Sequence, residues 1–78
     1  MSNNTTNNQS QPLLYTMKEV ATLLHVNVDK ANQLRRAGLI RCLKLGAWKV
    51  RREELERFLR YAEGKDLTDP FNPKETSL

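Results

Sequence analysis

Apolar residues recur at the spacing of one helix face early in the chain and again near its end. The first run, at i, i+3, i+4 and i+7, predicts a helix over residues 17–24 and consists of Met17, Val20, Ala21 and Leu24. Thr16 and Glu19 form a capping box, which fixes the start of this helix. The second run has the same spacing, predicts a helix that begins near Arg52, and consists of Leu55, Phe58, Leu59 and Ala62.

Another short helix is predicted directly after the first. Residues 25–27 interrupt the apolar spacing, with His25 as a turn residue, and Asn27 is a good N-cap for a helix over residues 28–37. Gly38 ends this second helix at the position after its C-cap. Two short helices joined by so brief a turn form a helix-turn-helix.

A small β-hairpin, or wing, is predicted between the second helix and the last. Residues 39–45 form its first strand, Gly46 and Ala47 form a tight turn, and residues 48–50 return. The expected fold is therefore mainly α with a small β-hairpin, in the order helix, turn, helix, hairpin, helix. The predicted core consists of Tyr15, Val20, Leu23, Leu24, Val26, Ala31, Leu34, Ile40, Leu43, Leu45, Trp48, Val50, Leu55, Phe58 and Leu59.

The two ends of the chain lack these patterns. Residues 1–14 carry no charged side chain and are rich in Asn, Gln, Ser and Thr, so we expect a disordered polar tail. Residues 64–78 contain two prolines without periodicity and are expected to be an irregular tail, which leaves 15–63 as the folded domain. Phe71, between the prolines, either docks a partner such as an integrase or belongs to a merely solubilising tail.

Length and composition exclude several classes of protein. A chain of 78 residues has room for one small domain and not for an enclosed enzyme cleft. No run approaches the roughly 18 apolar residues of a membrane span, and no secretory signal is expected. The single cysteine, Cys42, excludes an internal disulfide and is interpreted as a small strand residue. With no metal cluster, phosphate loop or supported catalytic pairing in the sequence, we expect neither an enzyme nor a cofactor.

Positive charge is concentrated in one part of the chain. There are 13 Lys and Arg against 9 Asp and Glu, a formal net charge of +4. Residues 30–52, here called the basic block, contain no acid and eight basic residues: Lys30, Arg35, Arg36, Arg41, Lys44, Lys49, Arg51 and Arg52. A solvated surface is one interpretation, but a block of a single sign favours a polyanionic partner such as double-stranded DNA.

Side chains on the second helix are suited to DNA bases. Asn and Gln can bond bidentately to adenine, and Arg to guanine, in the major groove. This predicts base contacts from Asn32, Gln33 and Arg36, whereas Lys18, Lys30 and Arg35 are expected on phosphates. Val28 and Asp29 also point outward, and Asp29 either favours its own helix N-terminus or accepts from a cytosine amine.

The hairpin adds a second set of candidate contacts. Arg41, Lys44, Lys49, Arg51 and the turn at Gly46 are expected on the DNA backbone or in the minor groove. Trp48 is either a core anchor beneath the wing or an aromatic side chain exposed to DNA.

The residues quoted so far resemble a known family. The run YTMKEVA, from Tyr15, is similar to the YT-x-KEVA opening of excisionase-type, MerR-like winged helix-turn-helix domains. The run KLGAWKVRREEL, from Lys44, resembles the closing pattern of that family, and together the two runs bracket residues 15–60. The resemblance implies that the second helix lies in the major groove and the wing on the adjacent backbone. The turn is short in this chain, with Ala47 in place of a longer basic tip, which argues against deep insertion into the minor groove.

Three alternative functions remain open. The first is an excisionase, or recombination directionality factor, that binds and bends attachment-site DNA so that an integrase excises a mobile element. The second is a small transcriptional regulator of a phage or mobile element, and the third is a protein-binding adaptor. We expect a bacterial cytoplasmic protein that is monomeric in solution, because its last helix is too short for a dimerisation coiled coil. On DNA, copies of the chain bind either independently or cooperatively.

Overall fold

Three helices and five short strands form the part of the chain that a computed structural model describes, residues 12–76. The helices are α1, Met17–Leu24; α2, Val28–Arg36; and α3, Arg52–Ala62. The strands are β1, Leu14–Thr16; β2, Leu43–Leu45; β3, Ala47–Arg51; β4, Lys65–Asp66; and β5, Lys74–Glu75. The predicted order of helices and hairpin is confirmed, and within residues 12–76 no helix is long and apolar enough to cross a membrane.

The first helix begins and ends as its sequence predicts. The Thr16 hydroxyl accepts from the Glu19 N–H at 3.1 Å, and the Glu19 carboxylate accepts from the Thr16 N–H at 2.8 Å, so the capping box is complete. His25 adopts a left-handed conformation with φ 59°, and its N–H donates to the Thr22 carbonyl. A left-handed residue ends a helix because it turns the chain away from the helix axis.

The second helix is capped as predicted and ends one residue early. The Asn27 side chain accepts from the Lys30 N–H at 2.8 Å. The helix ends at Arg36 rather than at the predicted Ala37, which is its C-cap, and Gly38 follows with φ 80°. The two helices pack against each other, which completes the helix-turn-helix.

The sheet contains one strand more than the sequence indicates. Its antiparallel order is β1-β3-β2, with Tyr15 opposite Val50 and Lys44 opposite Trp48. The hairpin is confirmed, but only the last three residues of the predicted strand 39–45 are a strand, and Cys42 lies in the loop before it. Strand β1 is too short to show alternation, and it forms because β3 offers it a partner distant in sequence.

The core is smaller than predicted. Four predicted core residues are exposed: Leu23 at 51%, Val26 at 37%, Leu45 at 56% and Leu59 at 47%. In so small a domain each helix is covered by its neighbours along only one narrow face. Leu45 lies beside the hairpin turn, where it pairs with Ala47. The buried hydrophobic residues are Met17, Val20, Ala21, Ala31, Leu34, Ile40, Val50, Leu55 and Phe58.

The C-terminal residues differ from the expected irregular tail. Strands β4 and β5 pair antiparallel, Pro70 is fully buried, and Leu67 packs against the core. A turn closed by the Asn72 N–H on the Asp69 carbonyl joins the two strands. At the other end, most of the expected polar tail, residues 1–11, lies outside the described residues, whereas Leu14 belongs to the sheet.

Candidate nucleic-acid interface

The basic block runs through α2, the following loop, both strands of the hairpin and the first residue of α3. Its side chains therefore come from adjoining elements. Only some of them are free to meet a ligand, and the structure sorts them by their contacts.

The outer face of α2 carries side chains that are open to solvent. Val28, Asp29 and Arg36 are exposed, and Gln33 is half-buried. Gln33 and Arg36 are three residues apart, so they lie side by side on the helix. Neither side chain has a hydrogen bond or ion pair among residues 12–76, which leaves an amide and a guanidinium available for base edges.

Asn32, predicted to read bases, is occupied within its own helix. Its amide nitrogen donates to the Val28 carbonyl at 3.2 Å, and its oxygen accepts from Arg35 Nε at 3.3 Å. A bidentate contact to adenine would have to replace both bonds. Gln33 is therefore the better placed of the two amides.

Arg35 and Lys44 meet at one aromatic ring. The guanidinium carbon of Arg35 lies 4.4 Å from the centroid of the Trp48 ring, and Lys44 Nζ lies 4.8 Å from it. Trp48 is half-buried and packs against the core, which agrees with the predicted core anchor, and its ring also contacts these two surface cations. We call Arg35, Lys44 and Trp48 the tryptophan cluster.

Lys30, predicted to contact phosphate, is held by the C-terminal segment. Its ammonium donates to the Thr68 carbonyl at 2.5 Å, and the residue is half-buried. In this arrangement Lys30 links α2 to the loop between β4 and β5. No sequence pattern indicates a contact between residues so far apart.

The sheet register places the wing candidates on two different faces. Lys44 and Trp48 are cross-strand partners, so they share the face that carries the buried Val50. Lys49 and Arg51 alternate with these residues on β3 and lie on the opposite face. One flat docking of the hairpin cannot bring both sets to the same phosphates.

The remaining candidates lie at the edges of this surface. Gly46 forms the hairpin turn at φ 79°, with no atom near the position that a Cβ would take. Arg51 pairs with Glu53 at 3.6 Å. Lys18 is exposed on α1, beside a shallow groove that Tyr15 and Leu23 line.

A clasp that the sequence does not indicate holds the loop between α2 and β2. Arg57 pairs with Glu54 at 2.6 Å, and it donates to the Leu39 carbonyl at 2.7 Å. The Glu54 carboxylate also accepts from the Arg41 N–H at 2.9 Å. The Arg57 hydrogen bond above all, together with the Arg41 N–H, lowers the pKa of Glu54 below its ordinary value, although partial burial opposes them. The clasp leaves the Arg41 side chain exposed while fixing its backbone.

Two further kinds of group within residues 12–76 are the metal-ligating residue types and the Cys42 thiol. Residues 12–76 contain no cluster of three or more His, Cys, Asp or Glu that could hold a metal ion. The Cys42 thiol donates to the Ile40 carbonyl, and burial raises its pKa, which favours the weakly nucleophilic neutral form.

One comparison with known proteins gives a match. The family model described as a helix-turn-helix domain matches residues 14–60, more than half of the chain. That family includes excisionase-like DNA-binding proteins. No curated protein and no solved structure matches the chain. The matched range covers both helices, the sheet and most of α3, and therefore all the candidate contacts above.

Proposed function

The chain belongs to the helix-turn-helix domain family, which indicates DNA binding, and we propose that it binds double-stranded DNA with α2 in the major groove and the β2–β3 hairpin as a wing beside it. The observation that carries the proposal is the acid-free basic block, which spans both elements. A surface of one sign is the electrostatic footprint of a nucleic-acid-binding domain.

The contacts fall into two classes. Gln33 and Arg36 are the proposed base readers, because their donors and acceptors are open to the groove. Phosphate contacts come from exposed or half-buried cations on neighbouring elements: Lys18, Arg35, Arg41, Lys44, Lys49 and Arg51. Because Lys49 and Arg51 lie on the face of the hairpin opposite to Lys44, they are proposed to contact different phosphates from Lys44. Val28, Asp29 and Asn32 lie beside the readers and shape the fit to the groove.

Salt dependence tests the binding itself. The full chain is titrated against a duplex of random sequence at several salt concentrations. With about four to six phosphates contacted, the log–log plot of affinity against salt should have a slope of about −4 to −5. Absence of salt-dependent binding to any duplex would reject DNA binding and favour a protein-binding adaptor.

Substitutions separate base readers from phosphate contacts once a preferred sequence has been selected from a random pool. Gln33→Ala and Arg36→Ala should each lower the preference for that sequence by about 1–3 kcal/mol at the base read. Lys44→Ala should weaken binding to all sequences alike. Arg60→Ala is the matched control, because Arg60 is exposed on α3 outside the basic block. Equal losses on specific and random DNA would show that Gln33 and Arg36 touch only phosphate.

The proposed biological role is that of an excisionase, acting in the cytoplasm of a bacterial host. The chain would bind and bend attachment-site DNA, and an integrase would carry out the strand exchange. What supports this role is family membership and the resemblance of both bracketing sequence runs to excisionase-type domains.

An excision assay with the cognate integrase tests the role. Excision should require the chain and should be lost with Arg36→Ala but not with Arg60→Ala. Excision that proceeds equally without the chain would reject the role. A promoter-reporter assay then tests the alternative, a small transcriptional regulator.

A further inference from the structure

Trp48 connects the two elements that are proposed to hold DNA. The backbone of α2 packs on α1 rather than on the sheet. Outside the shared core, the Trp48 ring bridges the last turn of α2, through Arg35, and strand β2, through Lys44. The ring is thus placed to fix the distance between helix and wing.

The Arg35 guanidinium is oriented from two sides. Its Nε donates to the Asn32 amide oxygen, and its carbon lies 4.4 Å from the Trp48 ring centroid. Its two terminal nitrogens make no hydrogen bond or ion pair within residues 12–76. A guanidinium held in this way presents a two-pronged donor, the geometry that suits a phosphate.

The second cation strengthens the case for an anion site. Lys44 Nζ lies 4.8 Å from the same ring centroid, and its ammonium has no acidic partner among the described residues. The two distances place Arg35 Cζ and Lys44 Nζ at most about 9 Å apart, and the ring attracts each cation electrostatically. An anion that contacts both cations would be balanced by two positive charges.

We propose that the tryptophan cluster is a single phosphate-binding site in which Arg35 and Lys44 grip the same backbone phosphate at the junction of helix and wing. Trp48 is a positioning residue that holds both cations on that phosphate. The site rests on the proposed DNA binding and deepens it, because it sets where the wing lies relative to the helix in the major groove.

Additivity of salt slopes tests whether one phosphate is shared. Arg35→Ala and Lys44→Ala are made singly and together, and the slope of log affinity against log salt is measured for each. Loss of one phosphate contact makes this negative slope shallower by about 1. A shared phosphate predicts that the double variant loses about 1 in total. Separate phosphates predict that the double variant loses about 2, which would overturn the inference.

A second pair of cations is the matched control. Arg41 is exposed in the loop before β2, and its side chain is not over the Trp48 ring. The losses from Arg41→Ala and Lys44→Ala should therefore add, whatever their sizes. If this pair also fails to add, non-additivity is not particular to the tryptophan cluster and the inference fails.

Conservative changes of the ring test its positioning role. Trp48→Phe keeps an aromatic face, whereas Trp48→Leu keeps apolar volume without one. At a temperature where both variants are folded, Trp48→Phe should bind duplex DNA within about threefold of the parent, and Trp48→Leu about tenfold more weakly. Equal affinity of the two variants would reject the role of the ring. If Trp48→Leu does not fold, the additivity of the cation variants alone decides.

The ring also provides a direct signal, because Trp48 is the chain's one tryptophan. Its emission should change on addition of a short duplex, and the change should be smaller in Arg35→Ala at saturating DNA. An unchanged emission while anisotropy of labelled DNA reports binding would overturn the inference and leave the proposed function intact. Absence of binding by anisotropy would reject the proposed function itself.

Discussion

At the scale of single residues, Glu54 joins two parts of the chain that lie apart in sequence. Its carboxylate binds Arg57 on its own helix and the Arg41 N–H in the loop that leads to the wing. Only 13% of the Glu54 side chain is exposed, so its charge is compensated by these donors more than by water. Glu54, which contacts the loop that leads to the wing, is thus a structural group.

Replacing the Glu54 carboxylate should make the free energy of unfolding depend less on pH. The pKa of Glu54 is lower in the folded chain than in the unfolded one, so its contribution is full above the unfolded value and is lost as pH falls through the folded value. Glu54→Gln should lower the free energy of unfolding by about 1 kcal/mol at pH 7, because Arg57 is half exposed and screened by water. Urea unfolding at pH 7 and again below pH 4 measures the difference, which should shrink in acid.

Glu56→Gln is the control for that experiment. Glu56 is exposed on the same helix, without a hydrogen bond or ion pair in the described part of the chain. Its replacement should change stability by less than about 0.5 kcal/mol at either pH. The difference in unfolding free energy between Glu54→Gln and the parent could instead be the same at pH 7 and below pH 4. That result would show that the Glu54 charge contributes nothing.

At the scale of elements, α2 depends on its ends. It buries only Ala31 and Leu34, and its outer face carries Gln33 and Arg36, the proposed base readers. Short helices are marginal without packing, so the cap at Asn27 and the turn at Gly38 supply part of what a wider apolar face would. Because α2 has so narrow a buried face, local hydrogen bonds at its two ends contribute much of its stability.

Loss of the Asn27 cap should destabilise the whole domain. Asn27→Ala removes the acceptor for the Lys30 N–H and should cost about 1 kcal/mol of unfolding free energy. Asn27→Ser, which can also cap, should stay within about 0.5 kcal/mol of the parent. Thermal unfolding followed by circular dichroism measures both. Equal losses for Ala and Ser would mean that the cap bond is not what Asn27 contributes.

At the scale of the whole molecule, the C-terminal segment belongs to the folded unit. Leu67 packs on the core, Pro70 is buried, and the Thr68 carbonyl binds Lys30 on α2. A small domain buries little apolar surface, so each such addition is a sizeable share of its stability.

Removing this segment should weaken the fold. A chain ending at Glu63 loses the burial of Leu67 and Pro70 and should lose about 2 kcal/mol of unfolding free energy. Phe71→Ala is the control, because Phe71 is 59% exposed in the same segment and should matter little. Urea unfolding compares the three chains. Full stability in the truncated chain would show that the segment does not contribute to the fold.

The sequence by itself determined the elements that local contacts decide. Each of these features involves residues within about four positions of one another, so the sequence pattern predicts it. They are the capping box, the Asn27 cap, the turn at His25 and the end of α2 before Gly38. The hairpin, and Ala31 and Leu34 as the buried side of α2, followed in the same way. The concentration of positive charge in residues 30–52 was equally plain, because composition needs no fold.

Only the tertiary structure decided which side chains meet. It added β1 as a third strand, bound Lys30 to Thr68, and joined the Glu54 carboxylate to the Arg41 N–H. It also gathered Arg35 and Lys44 at Trp48 and set Lys49 on the other face of the sheet. The physical reason is that these contacts join residues from different elements, and packing and strand register, which no local pattern encodes, bring them together.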